Sequence, residues 1–127
     1  MENAAERIIG VAFLAVCLSH LLRPREWAEF FAQLRAKGAP GAFINGMMSL
    51  AFGALIVGFH GTQWRGWSAV ATFIGWAQVA KGTIHLCFPA YSLRSMAMVG
   101  ADNYRKFAIA GAVGAPLAAA MLIVSFR

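Results

Sequence analysis

The sequence predicts an all-α polytopic membrane protein, with four transmembrane helices arranged as two parallel-repeat hairpins and an amphipathic interfacial helix in the first cytoplasmic loop. Three observations carry this. Of the 127 residues, 60% are hydrophobic and 13% charged, with a mean hydropathy of +0.63, more apolar than a soluble domain that must solvate its own surface. Four stretches of roughly 20 apolar residues, each about 30 Å long as helix, use nearly the whole chain. The 11 Lys and Arg outnumber the 5 Asp and Glu, and they gather between the stretches in a pattern that reports orientation. One four-helix domain over 1–127 leaves no room for a soluble catalytic domain. The net charge of +6 points to anionic lipid and the bilayer as partners, with no nucleic acid.

The first span, about 4–22, follows Glu2, Glu6 and Arg7 and lacks both a basic leader and a small-x-small cleavage site before Arg23-Pro24, so it reads as a retained helix. Pro24 can open the next helix, about 24–37, in which Trp27, Phe30, Phe31 and Leu34 recur at 3, 4 and 7 while Arg25, Glu26, Glu29, Arg35 and Lys37 take other faces. Gly38 and Pro40 stop it. Such a helix lies among lipid headgroups. The second span is about 42–60, the third about 67–88 and the fourth about 107–126. Tyr91, Arg94, Met96 and Met98 in the loop between the last two mark a shorter amphipathic stretch.

The loops after spans one and three hold seven basic residues: Arg23, Arg25, Arg35, Lys37, Arg94, Arg105 and Lys106. The opposite side holds three, Arg7, Arg65 and Arg127, while Lys81 lies within a span. The positive-inside rule then places loops 23–41 and 89–106 in the cytoplasm of a bacterial inner membrane and both termini outside, with Trp64 and Trp67 in the external aromatic belt.

An internal repeat supports the hairpins. Gly10, Ala12, Ala15, His20, Leu21 and Pro24 recur as Gly75, Ala77, Ala80, His85, Leu86 and Pro89, six of fifteen positions at an offset of 65 without a gap. Ile44-x-Gly46 and Ile109-x-Gly111 extend the offset. The repeat implies two hairpins in the same orientation, related by a pseudo-two-fold axis along the membrane normal. His20 and His85 then stand level near the cytoplasmic ends of spans one and three.

Helical spacing sorts the polar groups. Gln78, Lys81 and His85 fall within about 60° of one another and are flanked by Gly75 and Gly82, whereas Phe73, Trp76, Ala80, Ile84 and Cys87 take the lipid side. Asn45, Gly46, Ser49, Gly53 and His60 share one side of span two, and Glu6, Gly10, Phe13, Cys17 and His20 share one side of span one. The fourth span offers Gly111, Gly114, Ala115 and Ala118 for close packing and Pro116 for a kink. The predicted ligand-binding cluster is therefore Lys81, Gln78, His85, His20, Asn45 and Ser49. Lys81 has no carboxylate within a span, so it snorkels, deprotonates, reaches Glu26 or Glu29, or holds an anion. His20 and His85 read either as caps on helix C-termini or as metal, haem or proton-relay groups. Cys17 and Cys87 lie inside apolar runs with no zinc spacing.

GxSxG, HExxH, paired intramembrane carboxylates and phosphate loops are absent, so no catalytic residue and no cofactor is expected. From Gly10 through Gly53, a first span ending His20-Leu21 before Pro24, an aromatic segment with Trp27 and Phe30, then Gly38, Pro40 and a Gly-bearing second span resemble the DoxX-like group of small four-helix bacterial membrane proteins. That resemblance implies a membrane partner of redox or quinone-linked enzymes. The residues themselves point to a non-enzymatic inner-membrane protein that binds an anionic or lipidic ligand, or a larger membrane partner. The alternatives are a small oligomeric transporter or channel, and an accessory subunit of a quinone- or haem-linked complex.

Overall fold

The computed structural model describes residues 2–60, 64–98 and 103–127, with backbone only at residues 2, 3, 5, 59, 60 and 67. Six α-helices form, and no strand occurs among the described residues: α1 (Glu2–Leu22), α2 (Pro24–Ala36), α3 (Ala39–His60), α4 (Trp67–Cys87), α5 (Pro89–Ala97) and α6 (Arg105–Ser125). Each boundary has a local cause. Pro24 and Pro89 lack an amide hydrogen and take the first helical position of α2 and α5, where that hydrogen has no intrahelical acceptor. Gly38, at φ +69°, makes the left-handed turn between α2 and α3. Pro116 lies inside α6, where its ring forfeits one backbone hydrogen bond.

Two helices, α3 over Ala39–Gly58 and α6, are long and apolar enough to cross a membrane. A third crossing arises if α1 and α2, bent by 98° at Arg23, count as one broken span. In α4, Thr72, Gln78, Lys81, Thr83 and His85 interrupt the apolar run.

The helices form two compact units. The first combines residues 1–30 with 99–127, so that α1 packs on α6; the second, residues 31–98, packs α3 on α4 with α5 against both. In the first unit Gly10 lies at Leu122 and Gly111 at Cys17 and Leu21, which makes the pair antiparallel. The Arg7 guanidinium closes its far end, donating to the Ser125 carbonyl at 3.1 and 3.3 Å and lying 4.3 Å from the Phe126 ring centroid. In the second unit Gly46 lies at Gly82 and Leu86, and Gly75 at Ile56 and Val57, again antiparallel.

The offset of 65 reaches these contacts. It carries α1 onto α4 end for end and the start of α2 onto the start of α5. It also turns the pair Gly111 with Cys17 and Leu21 into Gly46 with Gly82 and Leu86, and Gly10 with Leu122 into Gly75 with Val57. The partners differ from those of the expected hairpins. Within the units α1 packs with α6, and α3 with α4. The 13-residue α2, about 20 Å long at 1.5 Å per residue, lies between α1 and α3 in the chain, where a hairpin of those two helices would take a short turn.

Both units bury a few apolar side chains, Ile9 and Met121 in the first and Leu34, Ile56 and Met96 in the second, together with small and polar ones, and leave many large apolar side chains outside. The largest fully buried side chains are Thr72 and Ser92, whereas Ile8, Val11, Phe73, Trp76, Ile109 and Val113 are exposed. So much exposed apolar surface departs from the pattern of a water-soluble protein.

Candidate functional site

The site in the second unit starts from glycine. A Cβ at Gly53 would lie 2.6 Å from the Val79 nitrogen and 2.7 Å from the Gly75 oxygen, and one at Gly82 would lie 2.5 Å from the Leu50 nitrogen. Only glycine lets the two backbones approach this closely, as in helix pairs packed within lipid. Ile56 packs against Gly75 at one end of this seam, and polar side chains are buried toward the other. Asn45, Ser49 and His85 are all buried.

Three helices converge on His85. Its Nδ1 lies 3.0 Å from Asn45 Nδ2 of α3 and 2.7 Å from Ser92 Oγ of α5. Ser92 arrives there because Phe88 and Pro89 end α4 and restart the chain as α5, returning position 92 over the last turn of α4. Two hydrogen arrangements satisfy this geometry. In one, the Asn45 amide and the Ser92 hydroxyl both donate to an unprotonated Nδ1, and Nε2 carries the proton. In the other, Nδ1–H donates to Ser92 Oγ, the hydroxyl donates to Met96 Sδ at 3.8 Å, and the Asn45 amide is rotated to present its oxygen. The imidazole is thus held in position, and its tautomer decides whether Nε2 is a donor or an acceptor.

The other expected members are distributed unevenly. Ser49 lies one turn along α3 from Asn45 and is buried; Gln78 is half-buried, its Cβ 2.9 Å from the position a Gly53 Cβ would take. Lys81 is exposed, because it stands about 100° around the helix from Gly82 at the centre of the packed face. His20 belongs to the first unit. Its Nδ1 is 2.8 Å from the Val16 carbonyl, and its ring stacks on Trp27 at 4.2 Å and on Phe107 at 5.6 Å. The Trp27 indole N–H donates to Ser19 Oγ at 2.9 Å. The two repeat-related histidines therefore have different surroundings, one aromatic and one polar. The His60 side chain, expected on the Asn45 face, lies outside the described residues.

Ser92 escaped the sequence reading. The available signal was the repeat itself, since Ser92 stands seven residues after His85 as Trp27 stands seven after His20, each behind a helix-opening proline. Among the described residues no group of three or more metal-ligating side chains is present.

Of the expected membrane-interface residues, Trp27, Phe30 and Phe31 are half-buried and Trp64 is exposed; the Trp67 side chain lies outside the described residues. Leu34 is corrected: at 4% exposure it faces inward, its backbone covering Gly41 across the Gly38 turn, and it cannot meet lipid. On the first unit the Arg25 guanidinium sits 4.8 Å from the Tyr104 ring centroid, and its hydrogen bond to the phenol holds Tyr104 below the ordinary tyrosine value.

Fold and site define a small helical protein with apolar outer faces and a buried histidine network. No family model, no curated protein and no solved structure matches the chain.

Proposed function

We propose that this is a non-enzymatic four-span membrane protein that binds an anionic lipid headgroup at the cytoplasmic end of its second unit. In this reading α1, α3, α4 and α6 are the spans, α2 and α5 lie among the headgroups, and both termini are external. Lys81 supplies the charge, and His85, one turn further along α4, supplies a positioned ring nitrogen.

The observation that carries the reading is a set of basic charges with no carboxylate in their own unit. Residues 31–98 contain Arg35, Lys37, Arg65, Lys81 and Arg94 and no Asp or Glu. Lys81 stands exposed on a helix whose other exposed residues include Phe73, Trp76 and Ile84. In a bilayer such an ammonium extends toward the headgroups and pairs with phosphate there, as basic sites between helices on the cytoplasmic side do.

Native mass spectrometry of the purified full-length chain with phosphatidylglycerol tests this. Lys81→Met keeps a similar apolar volume and removes the charge, and it is expected to weaken the phosphatidylglycerol adduct while leaving thermal stability in place. Equal retention by wild type and variant would sink the proposal.

A further inference from the structure

We propose that the elbow between α1 and α2 binds one phosphatidylethanolamine from the surrounding bilayer, its ammonium held by Glu26, Trp27 and Phe30 and its phosphate by Arg23. The assignment rests on the membrane reading but uses different residues on the other unit.

Ser19, Arg23, Glu26, Trp27 and Phe30 line an open depression of about 350 Å³ in the corner where α2 leaves α1 at 98°. The Trp27 and Phe30 rings meet edge to face at 86° with centroids 5.8 Å apart, and His20 stacks on the Trp27 ring; the ring surface that lines the depression offers negative potential of the kind that holds ammonium groups. Glu26 adds a carboxylate at the same corner. Arg23 Nη1 lies 3.3 Å from Glu26 Oε1, with the two side chains 72% and 58% exposed. So exposed an ion pair contributes little to folding, and its partners can separate to receive a ligand of the complementary charge order.

That order selects the headgroup. A zwitterion with phosphate and ammonium two carbons apart offers an anion to the guanidinium and a cation to the carboxylate and rings together. A primary ammonium donates hydrogen bonds to Glu26, which a trimethylammonium cannot do. A headgroup bearing only negative charge meets Arg23 favourably and Glu26 unfavourably. The indole N–H is engaged by Ser19, which fixes the ring that lines the depression.

The test is native mass spectrometry of the full-length protein titrated with phosphatidylethanolamine, phosphatidylcholine and phosphatidylglycerol of identical chains. Wild type is expected to hold one phosphatidylethanolamine about tenfold more tightly than phosphatidylcholine. Glu26→Gln should remove that preference, and Arg23→Gln should weaken both lipids alike. Both positions are exposed, and thermal unfolding confirms that the variants fold. Equal binding of the two zwitterionic lipids by wild type, or a preference that survives Glu26→Gln, overturns the proposal. The phosphatidylglycerol arm reports on Lys81: its loss in Lys81→Met with the ethanolamine preference intact separates the two sites. Loss of the preference with Lys81-dependent phosphatidylglycerol binding intact fails the elbow alone.

Discussion

At the scale of single residues, one ring nitrogen shared by two donors has a thermodynamic signature. Asn45 and Ser92 both address His85 Nδ1, so neither contributes a full independent hydrogen bond. Asn45→Ala and Ser92→Ala should each destabilise by about 1–3 kcal/mol, the range for disturbing a buried polar partner. The double variant should cost more than the sum, because either single deletion leaves Nδ1 with one partner and only the double leaves it buried with none; a double-mutant cycle on thermal unfolding in detergent measures the difference. Strict additivity would mean that the two contacts do not share the nitrogen. On the other unit, Tyr104 gives a titration readout. Hydrogen bonding from Arg25, then from Arg105, favours the phenolate and lowers the Tyr104 pKa. The tyrosinate absorbance of a Tyr91→Phe chain should therefore rise at lower pH than for a free tyrosine, about 10. Arg25→Gln should move that midpoint upward, and an unchanged midpoint would mean that the guanidinium does not bond the phenol.

At the scale of elements, the glycines of α3 separate packing from mere helix composition. At Gly53 a Cβ meets the backbone of α4 at 2.6 and 2.7 Å, whereas at Gly58 nothing lies within 4 Å. Gly53→Val should thus push α3 off α4 and destabilise by about 1–3 kcal/mol, while Gly58→Ala should stabilise by about 0.5–1 kcal/mol through reduced backbone freedom. Equal effects on thermal unfolding would contradict the close approach. The helices and the inward faces were legible because both rest on local pattern. Proline and glycine fix the starts and turns, and the 3.6-residue period put Asn45, Ser49, Gly75, Gly82 and His85 on buried sides and Phe73, Trp76 and Ile84 outside. Lys81 fell on the edge because a group spread over 60° straddles the boundary of a packed face. Helix pairing was not legible. Apolar periodicity says which face packs but not against which helix, and the 13-residue α2 removed the short connection from which sequence-adjacent pairing would follow. Ser92 was hidden for a related reason, since its role depends on α5 folding back over α4.

At the scale of the whole molecule, charge is divided as sharply as apolarity. All five acidic residues, Glu2, Glu6, Glu26, Glu29 and Asp102, fall in the segments 1–30 and 99–127, and none in 31–98. A bilayer gives that division a direction, because basic loop residues are retained on the cytoplasmic side. The expected topology puts the α2 and α5 segments inside and the link between α3 and α4 outside. In a chain with Cys17 and Cys87 replaced by Ala, single cysteines at the exposed positions 37, 65 and 94 report the side directly through a membrane-impermeant thiol reagent on intact cells. Labelling is expected at 65 and absent at 37 and 94 until the membrane is opened. External labelling at 37 or 94 would invert or break the four-span arrangement, and the Lys81 site would lose its cytoplasmic headgroups with it. Adding basic residues beside Arg65 should weaken the bias, because orientation follows the difference in Lys and Arg between short loops; the expected outcome is partial external labelling at 37 and 94, with labelling at 65 falling in step.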